Sequence, residues 1–135
     1  MRSRALRRWP SWLIRACAAT GGVVGINGLG LFLGNNDVSA ARYARHVDHV
    51  VQLVGPAHVA VSLDYVFDRR ELDEYVEKMR GTFPPGLGYD EPVDFVPPER
   101  VAEIVAVLQG WGYDREALQM ILGGNLLRLA RETWR

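Results

Sequence analysis

A single cysteine, Cys17, stands in a chain of 135 residues. One thiol cannot build an internal disulfide framework or a cysteine-rich zinc site. Net charge is missing too, because sixteen Lys and Arg balance sixteen Asp and Glu. With no surplus of either sign, nothing in the balance points to nucleic acid or to an anionic membrane. Long apolar runs are also absent. The longest candidate, residues 21–34, is broken by Asn27 and by glycines. It is too short and too interrupted to span a bilayer. No internal repeat and no low-complexity segment appears.

The start of the chain is basic. Arg2, Arg4, Arg7, Arg8 and Arg15 precede any acid, and Ala16-Cys17-Ala18 has the small residues of a cleavage site. An export signal needs an uninterrupted apolar stretch. Residues 9–14 contain Pro10 and Ser11, and Arg15 follows them. The expectation is therefore a cytoplasmic chain. Nearly half of its residues are hydrophobic and about a quarter are charged. That suits one domain, residues 1–135, with a modest core.

Punctuation and periodicity give the order of elements. Pro10 suits a first helical turn, Leu13, Ile14 and Cys17 share a side, and Gly21-Gly22 ends the helix. Residues 23–27 read as a buried strand. Gly28, Gly30 and Gly34 follow. They lack the third glycine of a phosphate-binding turn at its required spacing, and no helix is expected to open there. Their expected use is close passage of backbone. Ser39 is an N-cap, and Tyr43, Val47, Val50, Val51 and Val54 recur at helical spacing.

Gly55-Pro56 ends that helix. Residues 59–64 then read as a second buried strand that stops at Asp64. A carboxylate at the C-terminal end of a buried strand is where α/β enzymes keep their chemistry. The alternative use of Asp64 is to cap the helix that follows. Leu72, Tyr75, Val76 and Met79 mark that helix, whose charged side reads as a solvated face. Residues 81–97 form a long proline- and glycine-rich loop. Pro98 opens a helix ended by Gly110. Asp114 caps another that reaches Leu122, Gly123-Gly124-Asn125 breaks it, and residues 126–134 make the last.

Strand–helix alternation means an α/β fold with parallel strands and right-handed crossovers. Two strands make a poor sheet, since each has an unpaired edge. A full (β/α)₈ barrel typically needs about 250 residues. The pattern reads as the C-terminal part of such a barrel, incomplete on its own.

His46-Val47-Asp48-His49 contains a His-x-Asp pair, a metal motif in many barrel hydrolases. It lies mid-helix rather than at a strand's end, and Val47 and Val50 take the buried side. His46 and Asp48 therefore diverge. His58 precedes the second strand and reads as structural.

Four segments carry a resemblance. They are Gly21-Gly22-Val23-Val24-Gly25-Ile26-Asn27, His46-Val47-Asp48-His49-Val50, the run from Val54-Gly55-Pro56 through Leu63-Asp64-Tyr65-Val66-Phe67-Asp68, and Ile121-Leu122-Gly123-Gly124-Asn125-Leu126-Leu127-Arg128. In order and spacing they resemble the membrane dipeptidase family, peptidase M19, over roughly residues 9 to 135.

The resemblance implies a (β/α)₈ barrel of metallo-dependent hydrolase type, two zinc ions and hydrolysis of dipeptides by a metal-bridging water. It places the catalytic aspartate on Asp64, which takes a proton from the attacking water and passes it to the leaving amine. It places a substrate-flanking aromatic residue on Phe32. It places the arginine that holds the substrate carboxylate on Arg7, where Arg7-Arg8 replaces the family's Arg-Asn. The family's metal ligands lie upstream, and His46, His49 and His58 match histidines that bind no metal. No metal ligand is assigned in this chain. Two functions follow as expectations. One is the C-terminal portion of a zinc dipeptidase, inactive alone and completed by an oligomer or a complementing chain. The other is a non-catalytic remnant that folds by docking its bare edge on another chain.

Overall fold

The computed structural model describes residues 9–83, 86, 88 and 92–134. Helix α1 (Ser11–Ala19) leads into strand β1 (Val24–Ile26), a one-turn helix α2 (Gly30–Leu33) and the long helix α3 (Ala40–Val54). A 3₁₀ turn at Pro56–His58 enters strand β2 (Val59–Val61), followed by α4 (Arg69–Met79). After a 3₁₀ turn at Pro98–Arg100 come α5 (Val101–Gly110), α6 (Arg115–Gln119) and α7 (Asn125–Thr133).

Local chemistry sets the boundaries. The Ser39 hydroxyl accepts from the Arg42 N–H and starts α3. Gly55 ends it at φ 85°, a conformation that favours glycine. Asp114 accepts from the Ala117 N–H at the start of α6. Between α6 and α7 the chain widens into a π turn, Met120–Gly124, and kinks at Gly123. The expected break is therefore a kink between two joined helices.

β1 and β2 pair in parallel, Val24 with Val59, Gly25 with Ala60 and Ile26 with Val61. Helix α3 is the crossover between them. Both strands are shorter than the expected 23–27 and 59–64. Pairing nonetheless runs past their ends. Ser62 donates to the Ile26 carbonyl (3.1 Å) and Gly28 to the Leu63 carbonyl (3.1 Å). A Cβ on Gly28 would sit 2.4 Å from that Leu63 oxygen, so this glycine does serve close passage of backbone. A helix does open at Gly30, against expectation. It lasts one turn before Gly34 ends it at φ 93°.

The core lies between α3, the strands and the C-terminal helices. Tyr43, Ala44, Val47, Val59, Val96, Ile104, Leu108 and Ile121 are wholly buried. Val47 and Val50 do take the inner side of α3. Helix α4 buries none of its residues, and Tyr75 remains 56% exposed. Among the described residues the sheet has two strands, which give parallel α/β architecture without closing a barrel.

Candidate functional site

The C-terminal ends of β1 and β2 lie side by side, and each is followed by a polar residue. Asn27 follows β1. Its Oδ1 accepts from the Leu29 N–H (2.8 Å), which fixes which way the amide points. Its Nδ2 therefore faces β2 and donates to Asp64 Oδ2 (2.9 Å). Asp64 is exposed and has left-handed backbone, φ 52°. A short polar side chain tolerates that region better than most. Asp64 thus lies three residues beyond the last regular strand residue, positioned by a turn and an amide rather than by the ladder.

Asp64 does not cap α4. That cap is Asp68, whose carboxylate accepts from the Glu71 N–H (3.1 Å). Of the two uses left open by the sequence, the capping one is removed.

Tyr43 ties the strand ends from below. Its phenol, fully buried on α3, donates to the Ile26 carbonyl (2.6 Å) and accepts from the Ser62 N–H (3.1 Å). Burial pushes its pKa up to about 12, partly offset by the Ser62 hydrogen bond. A second strap comes from residues 94–96. Val96 donates to the Gly28 carbonyl (2.8 Å), Gly30 donates to the Asp94 carbonyl (2.8 Å), and Leu29 bridges Phe95 in antiparallel sense. This closes over the end of β1 a segment that the sequence offered only as loop. Beyond Asp64, Tyr65 meets Phe67 and Phe95 edge-on, at 5.0 and 6.4 Å between ring centres.

Phe32 stands on α2, 42% exposed. It lines a groove of about 850 Å³ that Asn27 also lines, so Asn27 touches both the groove and Asp64. Arg7, expected to hold a substrate carboxylate, lies outside the described residues.

The His-x-Asp motif disperses as its helical position requires. His46 donates Nε2–H to the Leu33 carbonyl (3.0 Å). Asp48 accepts from the Tyr113 hydroxyl (2.7 Å) and from Gln52 (3.3 Å). His58 Nδ1 bonds the Gly22 carbonyl (2.9 Å), tying the turn before β2 to the one before β1. Among the described residues no three His, Cys, Asp or Glu side chains gather to hold a metal ion. They do not fit a dinuclear zinc centre.

Chemically, the site offers an exposed carboxylate with one oxygen held by an amide donor. Among the described residues Asp64 Oδ1 has no hydrogen-bond partner, so it can accept a proton. Asn27, Tyr43 and residues 94–96 were missed as contributors. Asn27 was visible as the polar residue ending a strand, and Tyr43 only as one more apolar position.

A model of the membrane dipeptidase family, peptidase family M19, matches residues 9–134. The chain belongs to that family. It is 26% identical over 126 residues to a Klebsiella pneumoniae protein described as an uncharacterized protein in the pqqA 5′ region. The match covers 90% of this chain and 39% of that relative, so the chain spans well under half of the relative's length. No solved structure matches it. No helix among the described residues is long and apolar enough to cross a membrane.

Proposed function

We propose that this chain supplies the C-terminal part of a (β/α)₈ barrel that hydrolyses dipeptides, with Asp64 moving the proton. The observation that carries this reading is the pairing of Asp64 with Asn27 at the C-terminal ends of parallel strands. That end of an α/β sheet is where substrates are met. Membership of the dipeptidase family supplies the reaction class.

In this reading Asp64 Oδ1 takes a proton from water as the water oxygen attacks the peptide carbonyl. It returns the proton to the amine nitrogen as the C–N bond breaks. Asn27 holds the other carboxylate oxygen, so the proton always arrives at the same place. Phe32 flanks the substrate, and Arg7 pairs with its free carboxylate. Ligands for the family's two zinc ions come from a complementing portion, and the assembled enzyme is cytoplasmic.

The second reading, a non-catalytic piece that folds by docking on another chain, draws on the open two-stranded sheet. One experiment separates them. The chain is fused to the portion of the Klebsiella relative that lies outside the match and assayed on simple dipeptides with zinc. Hydrolysis absent from either piece alone supports the enzyme. A folded, zinc-loaded fusion with no hydrolysis supports the second reading instead.

A further inference from the structure

The two edges of the sheet are not equivalent. In a parallel ladder alternate residues face opposite neighbours. Ser62 bonds the Ile26 carbonyl, so Ser62 and Ala60 face β1, while Val59 and Val61 face outward. That outer edge is partly closed. Asn125, 2% exposed at the start of α7, donates Nδ2–H to the Val59 carbonyl (2.8 Å) and the Pro56 carbonyl (2.7 Å). On β1 the same alternation points the Gly25 N–H and C=O away from β2. Gly25 is exposed. No strand lies beside it among the described residues.

The groove of about 850 Å³ runs along this open side and is lined by residues 23–27 themselves. Trp9, Ile14 and Val50 give it apolar walls. From α3 come Arg42, Arg45, His46 and His49, and no carboxylate lines it among the described residues. Two acids stand close by: Asp64 holds the amide of Asn27 at one end of the groove, and Asp37, whose pKa is lowered first by its bond to the Ser39 N–H, is also lowered by the charges of Arg42 and Arg45.

We infer that the β1 edge takes an extended segment of another polypeptide, one that alternates apolar and acidic side chains. An exposed edge recruits a strand through main-chain hydrogen bonds, and side-chain chemistry then selects which strand. The cationic rim selects carboxylates. The same charge excludes two nearer occupants. Residues 1–8 carry four arginines and no acid, and residues 23–27 of a second copy carry no acid either. This deepens the proposed function by naming what the complementing chain must present. It does not depend on Asp64.

The probe is a capped eight-residue peptide alternating valine and glutamate, titrated into the ¹⁵N-labelled full chain. Controls are the valine–lysine peptide and a valine–glutamate peptide N-methylated at alternate amides. The glutamate peptide is expected to bind at least tenfold tighter than either control and to slow exchange of the Gly25 amide. Arg45→Glu, an exposed change, should weaken it about tenfold and favour the lysine peptide. Asp64→Asn should leave binding unchanged, so a failed dipeptidase assay would not touch this result. Equal binding of the N-methylated peptide overturns the strand. Equal binding of the lysine peptide overturns the rim. No binding of any peptide at millimolar concentration, with the chain's melting curve intact, overturns both.

Discussion

Tyr43 joins three elements through one oxygen. Its phenol adds a second partner to the Ile26 carbonyl and to the Ser62 N–H, which also bond each other across the strand ends at 3.1 Å. Tyr43→Phe should lower stability by about 0.5–1.5 kcal/mol, the net worth of a lost hydrogen bond when the backbone groups keep each other as partners. A denaturant titration measures it. The same residue sets a pH limit. An unfolded tyrosine loses its proton near the ordinary value of 10, whereas buried Tyr43 keeps it until about 12. Its contribution is therefore full below pH 10 and falls as pH rises through 12. Tyr113 acts in the same sense, raised first by burial and then by its bond to Asp48. Melting temperature should fall between pH 10 and 12, and Tyr43→Phe should flatten that fall. An equal slope in both proteins would remove Tyr43 as the cause. None of this was legible in the sequence. Tyr43 shares a helical stripe with Val47 and Val50, and periodicity reports burial but not where a hydroxyl points.

The elements themselves were more legible, because their boundaries rest on local chemistry. Ser39, Gly55 and Asp114 mark their helix ends from residue type alone, and the structure uses each as a cap or a stop. Both strands fall inside the expected stretches, since short apolar runs between turn residues have few other uses. Their far ends were misjudged. Asp64 turns into left-handed backbone and bonds Asn27, which no two-residue period reveals. Residues 94–96 were equally hidden, because their pairing with residues 28–30 spans more than sixty positions. Asn125 looked like a helix breaker beside two glycines. It is instead a buried donor docking α7 on β2. Asn125→Ala should destabilise the chain by about 1–3 kcal/mol. Asn125→Asp should do worse, since a carboxylate would face two carbonyl oxygens. Paired thermal melts give the order, and equal melting of all three proteins would mean α7 is held elsewhere.

At the scale of the molecule, the chain is a family member that covers 39% of a relative's length and pairs two strands among its described residues. The open β1 edge and the unburied α4 leave apolar surface without cover. The chain alone should associate. Sedimentation velocity should show mass rising with concentration, and a monomer with a sharp melt at every concentration would contradict this. The class of the sheet was legible because alternation of strand and helix forces parallel pairing. Whether the sheet closes was not, because closure depends on strands beyond the two that the described residues pair. The central claim concerns Asp64 at the mouth of that sheet, and its most direct test is kcat in the active fusion. Asp64→Asn keeps the shape and removes the proton acceptor. The expected result is a fall in kcat of about 10²–10⁴-fold with zinc content unchanged. Asp48→Asn, whose carboxylate accepts from Tyr113 and Gln52 among the described residues, should keep kcat within a few-fold. Full activity in Asp64→Asn, or loss of catalysis in Asp48→Asn with Asp64→Asn merely losing metal, would contradict it.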